Sequence, residues 1–192
     1  MNFKRLKDTK EHLESIRSVC DALQQKGFVD IDEKYKFSDI VLSDIAEFIM
    51  YIIAADKQIN IDEVEVYRYI TGYGGDDVSS IKEYIEDNGI MSYDYQSEPP
   101  VCLKLLVNAL NRAFRCNDDI EGTIALTYEH LIMVYLMVGK EVFQADGNVT
   151  YSEKRDFKNY LDNIKDYISD YSYVNVDGKL SEIMDLIQNI IY

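Results

Sequence analysis

Four acidic side chains occupy equivalent positions in two related stretches of the chain. The stretches are IIAADKQINIDEVEVYRYI at 52–70 and VFQADGNVTYSEKRDFKNYL at 142–161, and the side chains are Asp56, Glu63, Asp146 and Glu153. Aligned at an offset of 90 residues, both stretches read A-D-x-x-[IV]-x-x-x-E. Carboxylate oxygens are the ligands that hard divalent cations such as Ca²⁺ and Mg²⁺ prefer. The first chemistry that the motif predicts is therefore binding of a divalent cation.

Helix capping is a second interpretation of the same motif. Asn60 with Glu63, and Thr150 with Glu153, have the spacing of a capping box, in which a polar side chain and a glutamate satisfy each other's backbone amides. The two aspartates, at the ends of the preceding helices, can accept hydrogen bonds from turn amides. Capping accounts for the motif without a ligand, and both interpretations stay open from the sequence.

An ordinary EF-hand is excluded in both copies. D-G-N-V-T-Y-S-E at 146–153 matches the second half of an EF-hand loop, but the leading carboxylates are missing. Their positions are occupied by Val142 and Gln144 in one copy and by Ile52 and Ala54 in the other. A cation held between Asp and Glu of one turn, and completed by water or by carboxylates of the other half, stays open.

The doubled motif resembles the A-D-G-x-[IV]-x-x-x-E signature of TerB-like domains, which are all-helical domains of bacterial tellurite-resistance proteins. The resemblance implies a small, non-enzymatic helical domain linked to metal sensing or stress systems. It also implies that the acidic motif residues bind cations, which here are Asp56, Glu63, Asp146 and Glu153. The sequence departs from the signature at Lys57, where the family has glycine, and at Gln144.

Apolar residues at helical spacing predict the elements that must position these side chains. The predicted helices are 3–26, 38–55, 61–71, 78–88, 101–116, 123–145, 150–171 and 178–191. Strand alternation is absent apart from the short SYVNV at 172–176. We therefore expect an all-α fold, a compact bundle of seven to eight helices in one domain over 1–192. Its two helix-turn-helix halves are roughly 30–90 and 120–175, with an extra helix at each end.

Charge and composition narrow the classes of partner. The chain has 35 acidic and 20 basic side chains, a net charge of −15 that disfavours nucleic acid and favours cations or basic proteins. Three cysteines without a CxxC pair indicate a reducing compartment, and we expect a cytoplasmic protein. Uninterrupted apolar runs are far shorter than the ~20 residues of a membrane span, so we expect no membrane insertion.

No arrangement typical of an enzyme is recognisable. His12 and His130 stand in no catalytic or zinc motif, and we expect His130, on a buried helix, to be a packed or hydrogen-bonded histidine. Cys102 and Cys116 lie on one apolar helix and are expected in the core.

The sequence thus predicts a non-enzymatic TerB-like sensor or interaction module of a bacterial stress or defence system that binds divalent cations and a protein partner. The alternative is an acidic inhibitor or immunity protein that blocks a basic toxin or another basic protein.

Overall fold

A computed structural model describes residues 3–55, 59–74, 78–87, 98–116, 120–147 and 149–172. Within these ranges the fold is all-α, as predicted. The helices are α1 Phe3–Gln25, α2 Phe37–Ala54, α3 Ile61–Thr71, α4 Val78–Asp87, α5 Val101–Cys116, α6 Glu121–Phe143 and α7 Tyr151–Tyr171. The predicted helix at 178–191, and most of the segment at 172–176, lie outside the described residues.

Helices α2 and α6 form the centre of the bundle. Both are apolar on most of their surface, and each has thirteen buried residues. Helix α2 packs against α1, α3, α4, α5, α6 and α7, whereas the most extensive contacts of α6 are with α1, α2, α3 and α5. Because a helix that is hydrophobic all round must be covered on every side, the amphipathic helices pack around these two.

Aromatic rings join the central helices to α7. The ring of Phe48 on α2 lies 5.0 Å from that of Tyr135 on α6 and 4.7 Å from that of Tyr160 on α7, measured between centroids. Phe143 and Phe157 meet edge to face at 5.1 Å. These separations fall in the range at which aromatic pairs contribute beyond the area that they bury. The cluster fixes α7 against the end of α6 that precedes it.

A buried carboxylate of α2 caps the beginning of α5. The Oδ2 atom of Asp44 accepts a hydrogen bond of 2.6 Å from the backbone N–H of Cys102. This amide is in the first turn of α5, where backbone N–H groups have no partner within the helix. Burial raises the pKa of Asp44 to about 6, although the hydrogen bond from Cys102 opposes the shift. The Sγ atom of Cys102 lies 3.7 Å from the hydroxyl oxygen of Tyr135 and so connects α5 with α6.

The expected packing of two side chains, His130 and Cys116, in the core is wrong. His130 is exposed, because it lies on the outward stripe of α6, four residues after Leu126, which is 51% exposed. Cys116 is exposed because it is the last residue of α5, beyond the buried stripe that ends at Ala113. Cys102 is fully buried, as predicted.

Helix α6 is long and apolar enough to cross a membrane when judged by length and composition alone. Of its most apolar window, 56% is buried inside the bundle. Core helices of soluble proteins share this composition, so length and composition alone do not distinguish a core helix from a membrane-spanning helix.

The close packing of α6 on α7 can be tested at Gly139. A Cβ atom added at this position would lie 2.4 Å from the ring of Phe157. We expect Gly139→Ala to lower the free energy of unfolding by about 1 to 3 kcal/mol through overpacking, measured by urea denaturation.

Gly122 on the same helix is the matched control. A Cβ atom there meets nothing within 4 Å. We expect Gly122→Ala to be neutral or to stabilise by about 0.5 kcal/mol, because alanine is the better helix former. Equal effects of the two substitutions would contradict the described contact between α6 and α7.

Candidate functional site

The first acidic turn forms a complete capping box at the beginning of α3. The side-chain oxygen of Asn60 accepts a hydrogen bond of 2.9 Å from the backbone N–H of Asp62. In return, the Oε2 atom of Glu63 accepts one of 3.0 Å from the backbone N–H of Asn60. The extended backbone of Asn60, with φ −88° and ψ 145°, is the conformation usual for an N-cap residue.

The second acidic turn forms the same structure at the beginning of α7. The Oγ1 atom of Thr150 accepts a hydrogen bond of 3.3 Å from the backbone N–H of Glu153. The Oε2 atom of Glu153 accepts one of 2.6 Å from the backbone N–H of Thr150. Both capping boxes predicted from the sequence are therefore confirmed.

The fold brings the two turns together. The Nδ2 atom of Asn60 donates to Oδ2 of Asp146 over 3.5 Å, across 86 residues of sequence. Glu63 and Glu153 are 3% and 2% exposed, and their side chains are in hydrogen-bonding contact with each other. We call Glu63, Glu153 and Asp146 the acidic junction. Glu63 and Glu153 are buried within it, and Asp146 lies at its exposed edge.

The electrostatics of the acidic junction are those of a buried carboxyl pair. Burial, followed by the nearby charges of Glu153 and Asp146, raises the pKa of Glu63 from its ordinary 4.5 to about 8, against the lowering effect of the Asn60 amide. Two carboxylates in contact away from water cannot both stay charged without compensation. At neutral pH the pair is therefore expected to hold either a proton or a cation.

Capping and cation binding are compatible in this geometry. Each glutamate uses its Oε2 atom for the capping hydrogen bond, and a carboxylate has a second oxygen with its own lone pairs. The caps hold both side chains in fixed positions at the two helix beginnings. The same hydrogen bonds that explain the motif structurally thus also hold both carboxyl groups in place within the acidic junction.

The donors of the acidic junction fit a hard cation chemically but do not form a closed cage. Asp56, the fourth predicted ligand, lies outside the described residues. Among those described, no group of three or more His, Cys, Asp or Glu side chains is arranged to hold a metal ion. Mg²⁺ is commonly held through one or two carboxylates with several retained waters, whereas Ca²⁺ takes six to eight oxygen ligands. Of the two ions, the described donors fit hydrated Mg²⁺ better.

Two polar contacts around the helix beginnings were not anticipated from the sequence. Asn60 was recognised as a cap but not as a contact of Asp146. Asp44 was not singled out, although it caps α5. Its position in an apolar helix was the one available signal, because a carboxylate buried there needs a partner.

Comparison of the chain with protein-family models, with curated proteins and with solved structures finds no match. The resemblance to TerB-like domains is neither supported nor contradicted by these comparisons and stays a prediction.

The carboxyl pair gives a stability difference that depends on pH. Because the pKa of Glu63 is higher in the folded chain than its ordinary 4.5, its contribution to stability is fully present below about pH 4.5 and is lost as the pH rises through about 8. Gln cannot ionise. We expect Glu63→Gln to match the wild type near pH 5 and to be more stable by about 1 to 2 kcal/mol above pH 8, measured by urea denaturation at each pH.

Asp62→Asn is the matched control for this prediction. Asp62 is exposed and lies in the same turn, so the substitution removes one negative charge without touching the buried pair. We expect its effect to change little between pH 5 and pH 8. If Glu63→Gln destabilised the chain equally at every pH, the buried carboxyl pair would be contradicted.

Proposed function

We propose that the chain is a non-enzymatic TerB-like helical module of a bacterial stress or defence system, in which the acidic junction exchanges a proton for a divalent cation. The observation that carries the proposal is the buried contact between Glu63 and Glu153 at the beginnings of α3 and α7. The duplicated motif supports the family assignment, and the arrangement of carboxyl groups supports the cation.

The cation that we propose is hydrated Mg²⁺. It would be held by the two buried glutamates, with Asp146 at the solvent side and water completing the coordination. A divalent charge would remove the repulsion that keeps Glu63 protonated. Binding would therefore release the proton of the carboxyl pair, which makes the affinity depend on pH.

A sensing role follows from the position of the acidic junction. It joins α3, which follows central helix α2, to α7, which follows central helix α6. Compensation of its charge would stabilise the contact between these helix beginnings, and repulsion would loosen it. Cation occupancy would thus alter how firmly α3 and α7 are held together, and a protein partner contacting both helices could recognise this difference.

Calorimetric titration with Mg²⁺ tests the proposal, with Ca²⁺, Mn²⁺ and Zn²⁺ for comparison. We expect saturable binding to the wild type, and release of about one proton per cation at pH 7, detected by repeating the titration in buffers of different ionisation enthalpy. Below the pKa of the pair, the apparent affinity should increase by up to about tenfold for each unit by which the pH is raised.

Charge-neutral variants identify the binding residues. Glu63→Gln and Glu153→Gln should each abolish proton release and weaken binding at least about tenfold, whereas Asp62→Asn should leave both unchanged. The proposed cation site would be wrong if the wild type gave no binding heat with any of the four ions. It would also be wrong if the glutamine variants bound as the wild type does. The acidic junction would then be a structural contact between two capped helices.

A further inference from the structure

A second site, separate from the acidic junction, lies at the opposite end of α3. A partly open cavity of about 350 Å³ is formed there by α3, the turn that follows it and α4. The residues that line this tyrosine cavity are Tyr67, Tyr73, Gly74, Ser80, Ile81 and Tyr84. Three of the six are tyrosines, so electron-rich rings dominate its wall.

The cavity has a buried floor and an exposed rim. Tyr67 and Ile81 are 4% and 3% exposed, whereas Tyr73 and Tyr84 are 41% and 52% exposed. Gly74 closes one wall, since its φ of 87° and its close approach to Ile81 leave no room for a side chain: an added Cβ would lie 2.2 Å from Cγ1 of Ile81. The packing of this turn on α4 therefore shapes the cavity, and two rings remain accessible at its mouth.

The polar character of the cavity favours a cation over an anion. None of the described residues that line it is basic, and Arg68, next to the floor residue Tyr67, is paired with Glu65 over 2.7 Å. Burial and the neighbouring Tyr84 and Tyr73 raise the pKa of Tyr67 to about 12, so its hydroxyl stays neutral and can accept as well as donate.

We propose that the tyrosine cavity binds an alkylammonium group. Aromatic faces attract such cations through the ring quadrupole, and Tyr is among the residues that do so well. The net charge of −15 adds a field that concentrates cations near the surface. The group has two sources, a free small amine or a methylated lysine side chain of a protein partner, and both present the same chemistry to the rings.

A matched pair of ligands separates cation recognition from simple apolar burial. The cationic probe is choline, and the neutral probe is 3,3-dimethylbutan-1-ol, which has the same shape without the charge. We expect choline to bind about tenfold more tightly than the neutral alcohol, measured by ligand-observed proton NMR and by calorimetry. A short peptide with trimethyllysine, titrated in parallel, distinguishes the sources: tighter binding than choline indicates a protein partner, and weaker binding indicates a free amine.

Leucine substitutions test the role of the rings while keeping apolar volume. Tyr84→Leu and Tyr73→Leu change exposed residues and should each weaken choline binding about tenfold, with little change for the neutral alcohol. Tyr35→Leu is the control, because Tyr35 is also exposed but lies far from the tyrosine cavity. Gln24 of α1 contacts Tyr35, whereas Lys10 of α1 contacts Tyr69 near the end of α3. Those two positions of α1 are about 21 Å apart along the helix.

The outcomes are distinct from those of the cation titration. Equal affinity for choline and the neutral alcohol, or no saturable binding of choline up to about 10 mM, would overturn the proposal. Equal effects of Tyr35→Leu and Tyr84→Leu would also overturn it. None of these results depends on whether Mg²⁺ binds at the acidic junction, which Glu63→Gln tests separately.

Discussion

Burial of the two apolar helices α2 and α6 is the constraint on which the rest of the structure depends. Thirteen residues of each helix are buried, because the five other helices that the structure describes are arranged around these two. Helices α3 and α7 each follow one of these central helices after a short turn. The contact between Asn60 and Asp146 brings those two turns together. The acidic junction is thus a consequence of how the core is covered.

The acidic junction combines two requirements that oppose each other. A helix beginning is stabilised by a carboxylate, both through hydrogen bonds to free amides and through the helix dipole. Burying two such carboxylates in contact is unfavourable because neither can be solvated. The high pKa of Glu63 is the result of this conflict. A site that is stabilised by a bound proton or cation responds to the concentration of either.

Local features were predictable from the sequence, and contacts between distant segments were not. The helices follow from apolar spacing, and both capping boxes follow from residues three positions apart, as at Thr150 and Glu153. The meeting of Glu63 with Glu153 depends on the packing of four helices, which no local pattern encodes. The same holds for Asp44 and Cys102, which are 58 residues apart. His130 is exposed against expectation, because the apolar character of α6 conceals its narrow outward stripe.

An NMR pH titration of the side-chain carboxyl carbons of the glutamates tests the buried carboxyl pair most directly. We expect Glu63 to titrate with a midpoint near 8, well above its ordinary pKa of 4.5. We also expect Glu153→Gln to lower this midpoint, because the charge of Glu153 raises the pKa of Glu63. If Glu63 titrated near 4.5 and Glu153→Gln left its midpoint unchanged, the two carboxyl groups would not form a buried pair.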